Sequence, residues 1–300
     1  MKTLYLECNM GAAGDMLTAA LLELHPDPQG FVERMNRLGL PGVVFAAQPA
    51  VKCGITGTQV SVTVGGEEEE SHDVPLHTHV HETAQDEAHP GHAHDHVHGH
   101  DHEHTHDHEH IHDHEHIHGH EHGHGHHHHA GMGDIRHILS HLDIPQPVRQ
   151  DAEAVYQLIA QAESHAHGRP VEEIHFHEVG TLDAVTDVVA VCWLLHDLAP
   201  EQIVASPVHV GCGQVRCAHG ILPVPAPATA FIAEAAGLTL SPVDVEGELV
   251  TPTGAAAAAA LRTESVLPER FSIKAIGMGA GKRAYATPGI LRAMIIEPVE

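Results

Sequence analysis

The sequence predicts a mixed α/β (α+β) fold in which strands and helices alternate along the chain. Short apolar runs with strand periodicity are separated by amphipathic or Ala-rich runs with helical periodicity. Glycine and proline lie at the predicted boundaries of these runs. A histidine-rich, low-complexity segment interrupts the pattern and cannot contribute to a packed core, so we expect it to form a long disordered surface insertion.

Residues 1–66 are predicted to form an N-terminal βαβ-like part. The first strand leads through a Gly-rich turn into a helix that Pro26 and Pro28 end. The acidic run at 67–70 begins the insertion, which we assign to residues 67–132. The predicted elements of the first part are strands at 3–8, 43–47 and 59–64 and helices at 16–24 and 29–38.

Residues 133–300 are predicted to form an α/β part that completes the same globular domain. Asp134 is a candidate N-cap residue for the first helix. Pro227 and Gly237 mark the start and the end of another helix, in agreement with the usual preference for proline at the start and glycine at the end. The predicted elements are helices at 134–142, 146–164, 181–197, 227–237 and after Gly254, and strands at 174–177, 202–205, 208–215, 271–279 and 290–297.

The charge of the chain favours cations as partners. The formal net charge is −27, no Lys or Arg occurs between Lys52 and Arg136, and 16 of the 41 acidic residues lie within 67–129. Nucleic-acid binding is disfavoured because no basic patch is present to replace phosphate counterions. No apolar run reaches membrane-spanning length and no signal peptide is recognisable, so we expect no membrane contact and a cytoplasmic location.

The five cysteines do not predict a disulfide framework, because their number is odd and no CxxC pair occurs. Cys192 lies in an apolar helical stretch and is predicted to be a core thiol. His209, Cys212, Cys217 and His219 are potential soft metal ligands. Their spacing does not match that of a zinc finger.

Two short motifs can bind an anion such as phosphate, CNMGAAGDM at 8–16 and ELVTPTGA at 248–255. Each has glycines or hydroxyl side chains at a predicted helix start, where backbone N–H groups attract anions. The first lacks the Walker lysine and the GxGxxG spacing, so a plain tight turn is an equally good interpretation, and its aspartate can instead cap the helix or hold a cation. Capping by threonine is the alternative for the second motif. The candidate cofactor-binding residues are Gly11, Gly14, Asp15, Thr251, Thr253 and Gly254.

The segment IHFHEVGTLD, residues 174–183, is the ordered segment that we consider most suited to metal or acid–base chemistry. In a strand, the two histidines share one face, and Asp183 and Asp187 are spaced i, i+4 on the next helix. Such a set suits a divalent metal or a general acid–base pair. The alternative is that Asp183 caps the helix and one histidine is a core residue. The candidate catalytic residues are His175, His177 and Glu178, and the candidate metal ligands are His175, His177, Asp183 and Asp187.

The histidine-rich tract contains 25 histidines between His77 and His129, many of them alternating with Asp or Glu. Imidazole and carboxylate together suit Ni, Zn and Cu ions. A flexible polymer cannot impose one coordination geometry, so we expect loose binding of several ions, which favours buffering over catalysis. Neutral repeat expansion is the alternative. The candidate ligands in the tract are His102, His104, His106, His108, His110, His112, His114 and His116.

Four motifs in this order resemble the LarC-type nickel insertion proteins: CNMGAAGDM, IHFHEVGTLDAVTDVV, HGILPVPAPAT and GELVTPTGAA. The His-rich insertion precedes the second motif. The resemblance implies an enzyme, a nickel chelatase (a metal-inserting lyase, or cyclometallase). Its expected substrate is pyridinium-3,5-bisthiocarboxylic acid mononucleotide, and its expected product is the nickel-pincer cofactor of lactate racemase. The resemblance also implies CTP dependence, assisted by Mn or Mg.

The chain resembles only the N-terminal part of that family. Full-length members continue beyond the stretch that matches residues 287–296 into a C-terminal domain with the nucleotide-binding site. A separate C-terminal polypeptide, a frameshifted longer product or a truncated gene would each explain the difference. The expected partners are therefore the mononucleotide, nickel ions and that C-terminal part, through which CTP and Mn or Mg act. A homo-oligomer is compatible with the sequence.

A mechanism follows as a hypothesis. A nickel–carbon bond on a pyridinium ring requires removal of a ring proton, for which His175, His177 and Glu178 are candidate bases. The mononucleotide phosphate is expected on either of the two anion-binding motifs. Two other interpretations stay open, a non-catalytic nickel storage or delivery protein and an unrelated phosphate-ligand enzyme with an expanded histidine loop.

Overall fold

The computed structural model describes residues 2–68, 72–74, 130–176 and 179–299, which form seven helices and eleven strands. The strands are β1 (Thr3–Glu7), β2 (Val43–Lys52), β3 (Ile55–Val64), β4 (His72–Val74), β5 (Gln202–Ala205), β6 (Val208–Cys212), β7 (Gln214–Cys217), β8 (Gly220–Pro223), β9 (Leu240–Glu246), β10 (Phe271–Ala280) and β11 (Ile290–Pro298). The helices are α1 (Gly14–Leu24), α2 (Pro28–Asn36), α3 (Met132–His141), α4 (Gln146–His167), α5 (Leu182–Leu198), α6 (Pro227–Ala236) and α7 (Pro252–Leu261).

A six-stranded mixed sheet joins the two ends of the described chain, in the order β2-β3-β10-β11-β1-β5. The first strand pairs antiparallel with β11 and parallel with β5. Two smaller sheets accompany it, β4-β7-β8 and the parallel pair β6-β9. The prediction of a mixed α/β fold is confirmed.

The helices cover the sheet and pack on each other through nearly continuous apolar surfaces. Helix α1 lies against β3, β10, β11 and α5, and α4 contacts α5, α6 and α7. Helix α5 is buried along most of its length, and its Cys192 thiol has a pKa raised by burial, as befits a core residue. Helix α7 is a run of buried alanines, whose small side chains let its neighbours approach closely. Within the described residues, no helix combines the length and the apolarity that a bilayer crossing demands.

The helix boundaries follow the sequence signals in most places. The Asp27 carboxylate accepts a hydrogen bond from the Gly30 amide and caps α2, with Pro28 at the first helical position. Helix α6 starts at Pro227, and Gly237 ends it in the left-handed conformation, as predicted.

Three local predictions are wrong. Residues 174–176 do not form a strand, because a short 3₁₀ turn at 171–173 precedes them and Phe176 makes only an isolated bridge to Ala130. Asp134 is not the N-cap of α3. It lies inside the first turn, and its carboxylate accepts a hydrogen bond from the amide of Gly131, the actual N-cap residue. The predicted strand 208–215 is divided into β6 and β7 by a turn at Gly213, whose φ is +90°.

Glycines allow backbone segments to approach each other at the centre of the molecule. A Cβ atom at Gly254 would lie 2.1 Å from the carbonyl oxygen of Ala12. A Cβ atom at Gly279 of β10 would lie 1.9 Å from the carbonyl oxygen of Met16 in α1. Both distances are far inside van der Waals contact with backbone atoms that cannot rotate away, so only glycine fits these positions.

Substitution of Gly254 by alanine tests this constraint. We expect Gly254→Ala to lower the free energy of unfolding by roughly 1–3 kcal/mol, because the added methyl group must push two backbone segments apart. The control is Gly133→Ala on the exposed face of α3, where nothing lies within 4 Å of the new Cβ atom. It should raise stability by about 0.5 kcal/mol through the unfolded chain. Urea unfolding measures both, and equal effects at the two positions would contradict the close approach.

Candidate functional site

A cavity of about 650 Å³ lies where four helices begin. Its wall includes first-turn residues of α1, α5, α6 and α7: Gly14 and Asp15, Asp183 and Ala184, Pro227 and Ala228, and Pro252 and Thr253. A volume of this size is typical of small-molecule sites. The cavity wall therefore brings together motifs that are up to about 240 residues apart in the sequence, from Gly14 to Thr253.

The four helix N-termini give the cavity a positive partial charge. Each helix start presents backbone N–H groups that lack a partner within the helix, and the helix dipole adds to their effect. Ala13 and Ala226 occupy the N-cap positions of α1 and α6, and alanine has no side-chain acceptor to satisfy these amides. This arrangement favours an anionic ligand such as a phosphate or a carboxylate.

The two predicted anion-binding motifs lie side by side. The Ala12 amide donates to the carbonyl of Leu249 at 3.0 Å, and the Thr251 amide donates to the carbonyl of Ala12 at 3.1 Å. Gly14, Asp15, Thr251 and Thr253 line the cavity, whereas Gly11 and Gly254 are not among the lining residues. These two glycines instead permit the close backbone contact between the motifs.

The capping alternative considered for the second motif is present in the structure. The Thr251 hydroxyl accepts a hydrogen bond from the Gly254 amide at 3.1 Å and caps α7. The Thr253 side chain remains on the cavity wall.

Three carboxylates converge inside the cavity. Asp15 is buried, and a Cβ atom at Gly14 would lie 3.0 Å from Asp187 Oδ2, which shows how closely α1 approaches α5. The buried Oδ1 atoms of Asp183 and Asp187 have no hydrogen-bond partner among the described residues. Buried carboxylate oxygens without a partner are costly, and a bound cation would satisfy them.

The pKa values of Asp15 and Asp187 are raised in the folded chain. Burial raises the pKa of Asp187 well above its usual range, Asp15 and Asp183 raise it further, and Lys282 opposes them. Burial also raises the pKa of Asp15, against the nearby ammonium of Lys282. Burial and neighbouring like charges disfavour ionisation, so Asp15 and Asp187 hold protons more tightly than isolated aspartates do.

A buried tyrosine fixes the start of α5 next to these carboxylates. The Tyr156 hydroxyl donates to the carbonyl of Val179 at 3.0 Å. Burial raises the Tyr156 pKa well above its usual value, and the charges of Asp183 and Asp187 add to this. Tyr156 is therefore a neutral hydrogen-bond donor that positions the segment leading into α5.

Two basic side chains reach the cavity from the connection between β10 and β11. Lys282 forms an ion pair with Glu68. Burial lowers the Lys282 pKa, but Glu68, Asp15 and Asp187 outweigh burial and the net shift is upward. Lys282 is therefore a cation beside the carboxylate cluster.

Arg283 belongs to a connected polar network in the same wall. Its Nη1 donates to Asp73 Oδ1 at 2.8 Å, and its Nη2 lies 3.4 Å from Glu248 Oε2. The Tyr285 hydroxyl donates to Asp73 Oδ2 at 3.2 Å, and the Glu248 amide donates to Asp73 Oδ1 at 2.9 Å. These contacts hold β4 and the β10–β11 connection together and give the wall a rigid frame.

A second group of metal-ligating side chains lies at the rim. Glu163 and His167 are spaced i, i+4 on α4, with 3.4 Å between Glu163 Oε2 and His167 Nε2. His219, in the turn between β7 and β8, has a ring nitrogen within 4.8 Å of both ligand atoms. Cys217 also lines the cavity.

The structure separates the sequence-predicted residues into three groups. Asp183 and Asp187 lie together in the cavity wall. His175 is exposed and is not among the lining residues, a location that does not favour the predicted catalytic role. His177, Glu178 and the tract histidines from His102 to His116 lie outside the described residues.

Several residues of the site were not predicted. Glu163 lies near the end of the helix predicted at 146–164 and His167 lies beyond it, although their i, i+4 spacing is a recognisable ligand signal. Lys282 and Arg283 form a basic pair in a Gly-rich connection of an acidic chain, which is also a visible signal. Asp73, Glu248 and Tyr285 have no such signal, because their roles depend on a network of distant residues. Of the potential soft ligands, Cys217 and His219 line the cavity, whereas His209 and Cys212 do not.

Replacement of Asp187 by asparagine tests the carboxylate cluster. Because the folded chain raises the Asp187 pKa, the folded state gains stability as the pH falls through that pKa and retains the gain below the unfolded value of about 3.9. Near neutral pH, above the unfolded value, the Asp187 carboxyl costs stability because it ionises more readily in the unfolded chain than in the folded one. We therefore expect Asp187→Asn to raise the free energy of unfolding there by on the order of 1 kcal/mol, a gain that shrinks on acidification.

Urea unfolding at about pH 8 and about pH 5 measures this difference, within the range over which the raised pKa acts. The control is Asp244→Asn, which removes an exposed carboxylate from β9 and should change stability little at either pH. A destabilised Asp187→Asn chain at the higher pH would contradict the picture of a mutually repelling, desolvated cluster.

The chain is similar to proteins that are named for nickel insertion. The model for the family described as "Nickel insertion protein" matches residues 4–300. The pyridinium-3,5-bisthiocarboxylic acid mononucleotide nickel insertion protein of Alkaliphilus metalliredigens is 36% identical over 294 residues, which cover 98% of this chain and 60% of the relative. The protein of the same name from Akkermansia muciniphila is 32% identical, over 100% of this chain and 61% of the relative.

A putative nickel insertion protein of Thermomicrobium roseum is 34% identical, over 99% of this chain and 58% of the relative. The chain thus spans about three fifths of the length of the curated relatives that it matches. No solved structure matches it. The family match over nearly the whole chain confirms the resemblance found in the four sequence motifs, and the chain belongs to the nickel insertion protein family.

Proposed function

We propose that the chain inserts nickel into pyridinium-3,5-bisthiocarboxylic acid mononucleotide, and that the insertion takes place in the cavity at the four helix N-termini. Its relatives carry this activity in their names. One observation carries the proposal: the same cavity is lined by helix starts, which attract anions, and by carboxylates with unpartnered oxygens, which attract cations. The reaction needs both kinds of group in one place, because the nucleotide is an anion and nickel is a cation.

The helix starts and Lys282 would hold the anionic parts of the nucleotide. The phosphate can lie on the first turn of α1, at Gly14 and Asp15, or on the first turn of α7, at Thr251 and Thr253. Lys282 adds a full positive charge at the same wall. Arg283 is already bound to Asp73 and Glu248, so it contributes chiefly by keeping that wall in shape.

The carboxylates Asp15, Asp183 and Asp187 would hold nickel beside the bound nucleotide. Oxygen donors bind Ni²⁺ less firmly than sulfur donors combined with a nickel–carbon bond, which suits a site that must give the ion up. When the nickel–carbon bond forms, the ring C–H bond breaks, its electron pair passes to Ni²⁺ and its proton passes to a base. His177 and Glu178 stay the predicted bases, since Val179, the next residue, lines the cavity.

We also propose the class of the reaction, the enzyme that its product serves and the cofactors of the step. The chain would act as a nickel chelatase, classed as a metal-inserting lyase or cyclometallase, and its product would serve lactate racemase. CTP with Mn or Mg would act through a C-terminal domain or polypeptide, in keeping with the three fifths of the relatives' length that this chain spans. An unrelated phosphate-ligand enzyme is no longer a suitable interpretation, because the chain belongs to the nickel insertion family.

An insertion assay with nickel, CTP and the mononucleotide, with and without the C-terminal polypeptide, tests the proposal. We expect Asp187→Asn to lower the insertion rate at least about tenfold, as loss of a metal ligand should cost no less than loss of an outer-shell contact. Mass spectrometry of the nucleotide gives the rate. Asp244→Asn should match the wild-type chain. Unchanged insertion by Asp187→Asn would contradict the carboxylate site, and unchanged insertion by His177→Ala would contradict the predicted base.

The alternative function is nickel storage or delivery without chemistry, favoured by the 25 histidines between His77 and His129. Replacing residues 77–127 by a Gly/Ser linker separates the two functions. If the tract is a buffer, equilibrium dialysis should show a large fall in bound nickel, while insertion at saturating nickel should persist. A folded linker variant that no longer inserts nickel at saturation would contradict the buffering role.

A further inference from the structure

The rim of the cavity carries a set of side chains that the proposed insertion step does not use. Glu163 and His167 lie on the last turn of α4, and His219 lies in the β7–β8 turn that faces it. All three line the same cavity as the buried carboxylates. Two exposed imidazoles and a half-buried carboxylate therefore mark the boundary between that cavity and solvent.

The geometry of these three side chains suits a divalent transition metal. Glu163 Oε2 and His167 Nε2 are 3.4 Å apart, close to the separation of two ligands that share one ion at bond lengths near 2.1 Å. The His219 ring nitrogen lies within 4.8 Å of both atoms, a distance that a side-chain rotation can shorten. Two neutral imidazoles with one carboxylate favour nickel, copper or zinc over magnesium or calcium.

Two elements of the fold supply the three ligands, helix α4 and the β7–β8 turn. The i, i+4 spacing on α4 places the side chains of Glu163 and His167 on one helix face. The rings of His167 and His219 have centroids 5.0 Å apart and planes inclined by 42°, so helix and turn are in contact at this point. The ligands thus come from two separate elements, an arrangement that sequence spacing alone does not reveal.

We propose that Glu163, His167 and His219 form a divalent-metal site at the cavity rim, which receives nickel before it passes to Asp183 and Asp187. The destination of the ion rests on the proposed function, whereas the rim site itself does not. Three protein ligands leave coordination positions to water, so the ion is held without being enclosed. Exposure lets the ion exchange with solvent, and the adjoining cavity gives it a path to the buried oxygens.

Site-resolved histidine labelling of the intact chain tests the rim site in the presence of the tract. Diethyl pyrocarbonate modifies imidazoles that are not bound to metal, and peptide mass spectrometry assigns the modification to single residues. A nickel–citrate buffer sets the free Ni²⁺ concentration, so ions taken up by other histidines do not alter it. His167 and His219 should become protected together, at one nickel midpoint, whereas Mg²⁺ should not protect them.

Matched variants distinguish a shared site from independent histidines. His219→Ala and Glu163→Gln should each raise the nickel midpoint of His167 protection by roughly tenfold to a hundredfold. The control is His165→Ala, on the same helix between the two ligands, where the imidazole stacks on Phe231 instead of facing the cluster. It should leave the midpoint unchanged. Unfolding midpoints of each variant show that the fold is kept.

The outcomes separate this site from the proposed function. Labelling of His167 and His219 that is insensitive to nickel, or His167 protection that is unaffected by His219→Ala, would overturn the rim site. Joint protection in a chain that inserts no nickel would support the site and contradict the proposed function. Insertion without protection would overturn the rim site alone.

Discussion

The backbone contact between the Gly-rich turn after β1 and the segment before α7 determines where the rest of the cavity lies. Ala12 exchanges hydrogen bonds with Leu249 and Thr251, and glycines at 11 and 254 leave room for the carbonyl oxygens that this contact brings in. Because a side chain at either glycine would overlap backbone atoms, the starts of α1 and α7 can approach this closely only with glycine at both positions. The starts of α5 and α6 line the same cavity.

The charged groups around this cavity are of two kinds, which differ in how fully they are hydrogen-bonded. The network of Asp73, Glu248, Arg283 and Tyr285 is densely hydrogen-bonded, and such networks stiffen a protein when their members are paired. Asp183 and Asp187 instead keep buried oxygens without a partner among the described residues. Unpartnered buried carboxylates lower stability, so their presence beside a paired network points to ligand binding and not to structural support. Helix N-termini in the same wall moderate the accumulated negative charge.

The cavity therefore offers two environments to a metal ion. At the rim, exposed imidazoles can release and take up ions quickly because water reaches them. Inside, desolvated carboxylates attract a cation more strongly, since the effective dielectric constant is lower there. The attraction for a cation thus increases from the rim to the interior, which favours movement of the ion from solvent to the bound anion. The histidine-rich tract lies outside the described residues, and the buffering role proposed for it depends on its 25 histidines alone.

Most helices and strands could be predicted, because apolar periodicity, proline, glycine and capping residues act within a few residues of each other. The strand predicted at 174–177 is wrong because strand formation is not local: extended residues become a strand only when a segment distant in the sequence pairs with them. The same limit applied to the site. The histidines at 175 and 177 predict a metal or acid–base site, yet packing leaves His175 exposed and brings Glu163 and His167 to His219, 52 residues further along. The sequence by itself determined the local elements, the cation-attracting charge and the family. Only the tertiary structure decided which carboxylates and imidazoles share a cavity, because that depends on contacts between residues far apart in the chain.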